Sequence, residues 1–317
     1  MMVSIIIVNY NSLPYLRKCI ASIRRHTSIA HEIIVVDNAS PNGEAMFLET
    51  IFPDITVIRN KTNRGFAAAN NLGFIHALGD VILFLNPDTE LITPAIDQMT
   101  TLLHDTLNCG VVGCTLLNED LTIQTSCIQT FPTIVNQVLD SDWLRSRWPH
   151  STLWGTAPLF SNANTSARVE AISGACMLIA REVFTKAGQF SEDYFMYAED
   201  VDLCYKVRQR GCSNYYLGPA RVIHYGGKSS NPAAATRMKW RAVALFCDKH
   251  GGSLYGLAFR LTIAFTALMR LIFITFANII RPFLGTPGFQ PSVSDKWRLV
   301  LNAVLTYPTR TRSRRIA

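Results

Sequence analysis

The sequence predicts an α/β fold with a mostly parallel central sheet covered by helices on both faces. Three observations carry that expectation. Short, unbroken apolar runs at residues 3–8, 32–36, 55–58 and 81–85 alternate with helix-period stretches, and strands buried on both faces read as continuous apolar runs. Polar residues (Asn9, Asn11, Asp37, Asp88) follow directly on those runs, at the carboxyl ends where such sheets bind ligands. A chain of 317 residues that is 49% apolar and 17% charged is too apolar to be disordered and long enough for one large core plus an appendage.

The elements follow in order. Residues 3–8 form a first buried strand, too short and too free of preceding basic residues to be a secretory signal. Leu13, Leu16, Ile20 and Ile23 then recur at helical spacing. The strand over 32–36 ends at Asp37-Asn38, and a helix after Pro41 takes Met46, Phe47 and Ile51 as its inner face. The run at 55–58 is a third strand, 66–77 a helix of small residues, and 81–85 a fourth strand closed by Asn86-Pro87-Asp88. Residues 118–168, rich in Asn, Ser, Thr and Trp with weak periodicity, read as long loops. A strand spans 170–180 with small residues at Gly174-Ala175, helices start near Arg181 and over about 199–210, and Gly211 stops the second. Two short strands, 214–217 and 221–224, complete this body.

The charge is unevenly placed. The net formal charge is +7, yet residues 1–250 carry 21 Lys and Arg against 22 Asp and Glu. Residues 251–317 carry nine basic residues against the single Asp295. A nucleic-acid-binding core would spread basic patches over the domain itself, so that class is excluded. A basic tail suits an anionic membrane surface. Residues 236–249 form one helix ended by Gly251-Gly252, and 253–281 a long apolar helix without acidic residues, broken at 285–288. At about 100° per residue, Arg260, Arg270, Asn278 and Arg281 share one sector of roughly a quarter-turn. Phe265, Leu268, Met269, Ile272, Phe276 and Ile279 lie opposite. Residues 261–280 are long enough to span a bilayer, but Arg270 at the middle costs about 2.5–3.5 kcal/mol on insertion scales. An in-plane amphipathic helix, aided by Arg310, Arg312, Arg314 and Arg315, is the preferred reading over one membrane-embedded helix. The eight scattered cysteines form no CxxC pair and read as free thiols of a reducing compartment, the cytoplasm.

Candidate chemistry begins with exclusions. No GxGxxG follows the first strand and no GxxxxGK[ST] occurs, so dinucleotide and P-loop readings lose their support. Asp37 after the second strand can accept hydrogen bonds from a ribose or base edge, or cap the next turn. Asp88 at the fourth strand end suits Mg²⁺ or Mn²⁺ beside a diphosphate, although Asn-Pro-Asp is also a common turn. Glu199, Asp200 and Asp202 crowd one helix start, where they suit the helix dipole. Crowding also raises carboxyl pKa values, as a general base requires. His224 offers an imidazole ligand, and the loop after it carries Lys228 and hydroxyls able to close on phosphates.

Seven stretches in order, SIIIVNYNS, EIIVVDNAS, NRGFAAANNLG, ILFLNPDTE, ISGACMLIAREVF, FMYAEDVDLCYKVRQRG and HYGGKS, resemble family 2 glycosyltransferases. More narrowly, they are similar to the rhamnosyltransferase-type members that build bacterial surface polysaccharides. The resemblance covers residues 3–230. It implies a GT-A fold, a nucleotide-diphosphosugar donor, Mg²⁺ or Mn²⁺, and inversion at the anomeric carbon. By this resemblance Asp37 contacts the nucleoside, with Val8, Asn9 and Asn11 lining its pocket, and Arg64, Gly65 and Asn70 border the donor. Asp88 is the metal-binding carboxylate of a DxD-type element in which Asn86 replaces the first Asp. Asp200 is the catalytic base, supported by Glu199, Asp202 and Gly174, and His224 is a late metal ligand.

The organisation expected is a catalytic domain over 1–235, with donor binding in about 1–115 and acceptor binding and the base in 116–235. A helical, basic, membrane-associating region over 236–317 completes it. The implied reaction moves L-rhamnose from dTDP-rhamnose to a hydroxyl of a lipid-linked oligosaccharide, at the cytoplasmic face of the bacterial inner membrane. UDP- or GDP-sugar donors are the alternative. A nucleotidyltransferase is disfavoured because Asn9-Tyr10-Asn11-Ser12 lacks a Gly-rich loop. A non-catalytic sugar- or membrane-binding subunit would be expected to lose the carboxylates at 88 and 200, and both are present.

Overall fold

The computed structural model describes residues 1–160, 165–226, 232–281 and 289–307. It divides into two compact units, Met1–Phe131 with Ser141–Ser229, and Pro132–Asp140 with Ser230–Ala317.

The first unit opens with the expected alternation: β1 (Val3–Asn9), α1 (Leu13–His26), β2 (His31–Asp37), α2 (Glu44–Ile51), β3 (Thr56–Arg59), α3 (Gly65–His76) and β4 (Val81–Leu85). These four strands pair in parallel. The registers set Asn9 opposite Asp37 and Asp37 opposite Arg59, so three strands end at one level. The unit continues through β5 (Thr89–Leu91), α4 (Ala95–Asp105), β6 (Cys109–Leu117) and β7 (Ile128–Gln129). After α5 (Ile134–Val138), which belongs to the second unit, come α6 (Asp142–Arg147), β8 (Ser166–Val169), β9 (Ala171–Ile172) and β10 (Cys176–Ala180). Then α7 (Arg181–Lys186), α8 (Glu199–Gln209) and β11 (Ser213–His224) close it. The strand order is β3-β2-β1-β4-β10-β6-β11-β5, with β8 beside β11. β10 runs antiparallel to both β4 and β6.

Ile5, Ile6, Ile7, Ile34 and Phe84 are fully buried, each such side chain contributing roughly 1.5–3 kcal/mol. Phe84, Phe184 and Phe190 meet with ring centroids 4.7–5.5 Å apart, which fastens the chain leading to α8 onto β4. All eight cysteines are free thiols, seven of them buried.

Three local expectations are corrected. Met46, Phe47 and Ile51 of α2 are exposed, and Glu44, Ala45 and Leu48 face inward. The Glu44 carboxylate accepts hydrogen bonds from the β1–α1 turn (below), and that polar anchor sets the rotation of this short helix. The strand expected over 170–180 breaks at Ser173-Gly174 into β9 and β10, because the Gly174 N–H turns to a side chain rather than a ladder partner. The two strands expected over 214–217 and 221–224 are one, β11, with a register irregularity between Leu217 and Arg221 around Gly218-Pro219.

The second unit packs α5 with α9 (Pro232–Gly251), α10 (Ser253–Ile280) and α11 (Pro291–Leu305). Its core holds Trp240, Val243, Cys247, Phe259, Ile263, Ala267, Trp297 and Val300. Gly252, at φ +84°, makes the turn between α9 and α10. α10 carries the amphipathic pattern expected, with its apolar face exposed. Arg260 pairs with Asp248 at 3.1 Å and lies over the Tyr307 ring. Arg270 donates to the carbonyls of Val138 (2.8 Å) and Asp140 (3.3 Å) and stacks on Trp297 at 4.2 Å. Arg281 stacks on Phe289. The basic edge therefore faces the bundle, where aromatic faces and carbonyls satisfy guanidinium groups. Leu261, Phe265, Leu268, Met269, Ile272, Phe273, Phe276 and Ile279 are 46–64% exposed on the opposite face. Among the described residues α10 is the one helix long and apolar enough to cross a membrane. The break at 285–288 and the terminal arginines lie outside the described residues.

Candidate active site

Parallel pairing of β1 and β2 brings Asn9 and Asp37 side by side, both buried. The Asn9 Nδ2 donates to Asp37 Oδ1 at 3.1 Å and to Glu44 Oε2 at 2.7 Å. Asp37 also accepts from the Ser40 hydroxyl at 2.6 Å and the Ser40 N–H at 3.2 Å. Glu44 further accepts from the Ser12 N–H at 3.2 Å, at the start of α1, a place where a helix favours negative charge. Val8 is buried in β1. Asn11 is exposed, adopts φ +53°, and donates its backbone N–H to Ser40 Oγ. Asn9, Asn11 and Asp37 thus share one network, with Val8 buried beside it. Its centre includes Ser40, which ends the EIIVVDNAS stretch but is given no role there, and Glu44, which lies outside every stretch quoted above.

Asn38 builds the next wall. Its amide donates to Asn63 Oδ1 and the Gly65 carbonyl, while its Oδ1 accepts from Asn60 Nδ2 and the Arg64 N–H. Gly65 sits at φ +82°, and a Cβ there would fall 2.2 Å from the Phe195 carbonyl oxygen, so only glycine fits. That carbonyl accepts from the Phe66 N–H at 2.8 Å. Arg64 pairs with Glu192 at 3.2 Å. Asn71 exchanges two hydrogen bonds with the Phe190 backbone. Asn70 is buried and spends its amide on the Phe66 carbonyl within α3. The 190–195 segment is therefore clamped to the start of α3.

Asn86 follows β4, and its N–H is held by the Ala175 carbonyl at 2.9 Å. Asp88 Oδ1 lies 3.4 Å from His224 Nε2. Asn86 Nδ2 is 3.3 Å from the same nitrogen. Gln124 holds the far side of the ring, its Oε1 3.0 Å from Nδ1 and its Nε2 donating to the His224 carbonyl at 2.6 Å. One carboxylate oxygen and one imidazole nitrogen suit a divalent cation that takes its remaining ligands from diphosphate and water. Among the described residues no cluster of three or more His, Cys, Asp or Glu could hold an ion unaided. Lys228 lies outside the described residues.

Asp200 stands in the first turn of α8, behind Tyr197 and Ala198 at φ +73° and +62°. Two consecutive non-glycine residues in this region are strained, and surrounding contacts must hold them. Here the holding groups centre on Asp202, which is fully buried. It accepts from Ser191 Oγ at 2.6 Å and Tyr194 OH at 3.3 Å, pairs with Lys206 at 3.2 Å, and its N–H binds the Ala198 carbonyl. Asp200 Oδ2 accepts from the Gly174 N–H at 2.9 Å and Gln129 Nε2 at 3.2 Å, and Oδ1 accepts from the Val201 N–H at 2.8 Å. Burial raises its pKa, and these hydrogen bonds oppose the rise. Burial, and then the adjacent Asp200, push the Glu199 carboxyl well above its ordinary value. Glu199 Oε2 has no hydrogen-bond partner among the described residues. Because Gly174 adjoins Ala175, which binds Asn86, a short backbone path joins the Asp88–His224 pair to Asp200. No sequence signal marked Gln124 or Gln129, both in the irregular stretch after β6.

The fold is that of a GT-A glycosyltransferase. The glycosyl transferase family 2 profile matches residues 4–184, and the chain belongs to that family. It is 26% identical over 263 residues to the N-acetylglucosaminyl-diphospho-decaprenol L-rhamnosyltransferase of Mycobacterium tuberculosis, covering 78% of this chain and 85% of that one. It is 24% identical to the rhamnosyltransferase WbbL of Escherichia coli, over 77% of this chain and 91% of the relative. The solved mannosyltransferase of Pyrobaculum calidifontis, in complex with GDP-Man and Mn²⁺, superposes with a TM-score of 0.58 at 15% identity, over 96% of this chain and 86% of that one.

Proposed function

We propose that this glycosyltransferase moves L-rhamnose from dTDP-rhamnose to a hydroxyl of a lipid-linked glycan in cell-surface polysaccharide synthesis, with inversion. The observation that carries the chemistry is the setting of Asp200: buried, raised in pKa, and oriented by Gly174 and Gln129. The similarity to two rhamnosyltransferases, one acting on a decaprenyl-diphosphate-linked sugar, supports the donor and acceptor.

Asp200 takes the acceptor hydroxyl proton as the acceptor oxygen bonds to the anomeric carbon, and the bond from that carbon to the diphosphate oxygen breaks. The electron pair leaves on the nucleoside diphosphate, and the proton passes from Asp200 to water. Asp88 and His224 would hold Mg²⁺ or Mn²⁺, which supplies neutralisation of the departing diphosphate. The Asn9–Asp37–Ser40–Glu44 network supports nucleoside binding, with Asn11, Arg64 and Gly65 at its border. Lys228 is assigned to the phosphates by the sequence pattern. Burial and the neighbouring Asp200 raise the Glu199 carboxyl, which disfavours a second negative charge beside the base.

The second unit serves attachment to the cytoplasmic face of the inner membrane as a peripheral element. Because Arg260, Arg270 and Arg281 are occupied within it, the exposed apolar face of α10 makes the contact, and anionic lipid adds attraction through the terminal arginines.

The deciding experiment offers purified enzyme dTDP-L-rhamnose, UDP-sugars and GDP-sugars, with Mg²⁺ or Mn²⁺ and a polyprenyl-diphosphate-linked N-acetylglucosamine. Product linkage is read by mass spectrometry and NMR. Transfer from dTDP-L-rhamnose alone is expected. Preferential use of a UDP- or GDP-sugar would overturn the donor assignment.

A further inference from the structure

Gln124 is engaged by both ends of its amide with one residue. Its Nε2 lies 2.6 Å from the His224 carbonyl oxygen, which can only accept, so the nitrogen end of the amide is assigned there. Its Oε1 then faces His224 Nδ1 at 3.0 Å, and an oxygen acceptor requires that Nδ1 carry the hydrogen. A neutral ring that keeps this contact holds its lone pair on Nε2. That nitrogen points to Asp88 Oδ1 at 3.4 Å and accepts from Asn86 Nδ2 at 3.3 Å. The backbone holds Gln124 in turn: its N–H donates to the Leu116 carbonyl at 2.8 Å, and its carbonyl accepts from the Cys127 N–H. His224 itself is the last residue of β11, in register with Thr89. Both partners are thus carried on the sheet.

We propose that Gln124 is a positioning residue for the cation site. It locks His224 in the Nδ1–H tautomer and fixes its ring plane, so that the Nε2 lone pair is presented beside Asp88 to the divalent cation that accompanies the donor diphosphate. This rests on the cation reading given above and extends it to a residue outside the ligand set. In water a neutral imidazole favours hydrogen on Nε2, so without Gln124 most of the population would turn a hydrogen toward the ion. Partners that set ligand tautomers in this way are worth about 10–100-fold in metal affinity.

The test uses the full chain in three forms: wild type, Gln124→Met, which removes both hydrogen bonds at similar volume, and Gln124→Glu, which keeps an acceptor for Nδ1–H. In metal-free, ¹⁵N-histidine-labelled protein at pH 8, long-range ¹H–¹⁵N spectra should show His224 as Nδ1–H in wild type and Gln124→Glu, and mainly Nε2–H in Gln124→Met. Mn²⁺ titration by electron paramagnetic resonance, with dTDP present, should show affinity lowered about 10–100-fold in Gln124→Met and restored in Gln124→Glu to within a few-fold of wild type. Circular dichroism confirms that each variant is folded; should Gln124→Met not fold, the wild-type tautomer decides. Wild-type His224 found as Nε2–H, a Gln124→Met variant binding Mn²⁺ as tightly as wild type, or a Gln124→Glu variant as weak as Gln124→Met would each overturn the assignment. Wild-type protein that binds no Mn²⁺ with dTDP would overturn the cation reading itself, a distinct result.

Discussion

The backbone N–H of Gly174 lies 2.9 Å from Asp200 Oδ2, tying the first turn of α8 to the break between β9 and β10. That bond and the Gln129 amide hold one oxygen, and the Val201 N–H holds the other. The carboxylate is thus aimed before any acceptor arrives, and its replacement is the most direct test of the mechanism. Asp200→Asn keeps the size and can still accept on Oδ1, so donor binding by calorimetry should stay within a few-fold of wild type. Transfer should fall by about 10²–10⁴-fold, the range for loss of a general base. A near wild-type rate would remove Asp200 from the role.

Gln129 stabilises the charged form of Asp200. Gln129→Met removes that donor and leaves burial unopposed on that side, so the Asp200 pKa rises further. The active form is the carboxylate, so the acid limb of the kcat/KM profile should move to higher pH while the rate on the plateau changes little. An unmoved acid limb in a folded variant would detach Gln129 from the base.

Burial and the adjacent Asp200 push the Glu199 carboxyl well above its unfolded-state value. Its folded-state pKa is raised, so stability is greatest below its unfolded pKa and declines as pH climbs toward the folded value. Glutamine copies the protonated form without the titration. Glu199→Gln should therefore flatten the decline of Tm as pH rises above the ordinary glutamate range. Transfer activity should stay within about threefold, since glutamine keeps the size of the side chain and the proton is taken by Asp200. A Tm that tracks wild type across this range would place the charge elsewhere.

Gly65 has room for no side chain. Gly65→Ala would require the 190–195 segment to move off its Phe195–Phe66 hydrogen bond and would strain a positive φ. A cost of about 1–3 kcal/mol is expected, read as a lower denaturation midpoint together with weaker donor binding. An unchanged midpoint would show that the segment adapts freely.

The exposed face of α10 should govern membrane recovery. With Arg260, Arg270 and Arg281 held inside their own unit, high salt should release only part of the enzyme and alkaline carbonate the remainder. Phe265→Asp with Phe273→Asp should shift most of it to the soluble fraction without loss of folding. Full retention in carbonate would instead show a spanning helix.

Much of the frame was legible in the linear chain. β4 starts and ends at the residues expected, β1 and β2 differ by one or two, and the carboxylates at 37, 88 and 200 stand at strand ends or a helix start, because buried parallel strands need unbroken apolar runs and polar residues must begin where these stop. The rotation of α2 was not legible, since periodicity separates two faces of a helix without saying which one is inward, and Glu44 decided it through contacts 31–35 residues away. The same ambiguity left open which face of α10 packs against its neighbours. Its arginines were readable as a stripe, but only the carbonyls of Val138 and Asp140 and the ring of Trp297, distant along the chain, turned that stripe inward.

The sequence by itself determined the fold class, the family and the residue types that can bind a donor and remove a proton. Tertiary structure alone decided that Gln124 and Asp88 meet opposite nitrogens of His224, which oxygen of Asp200 is held, and which face of α10 is exposed. Each of these depends on a hydrogen bond or ring contact between segments far apart in sequence, and local pattern does not encode such pairings.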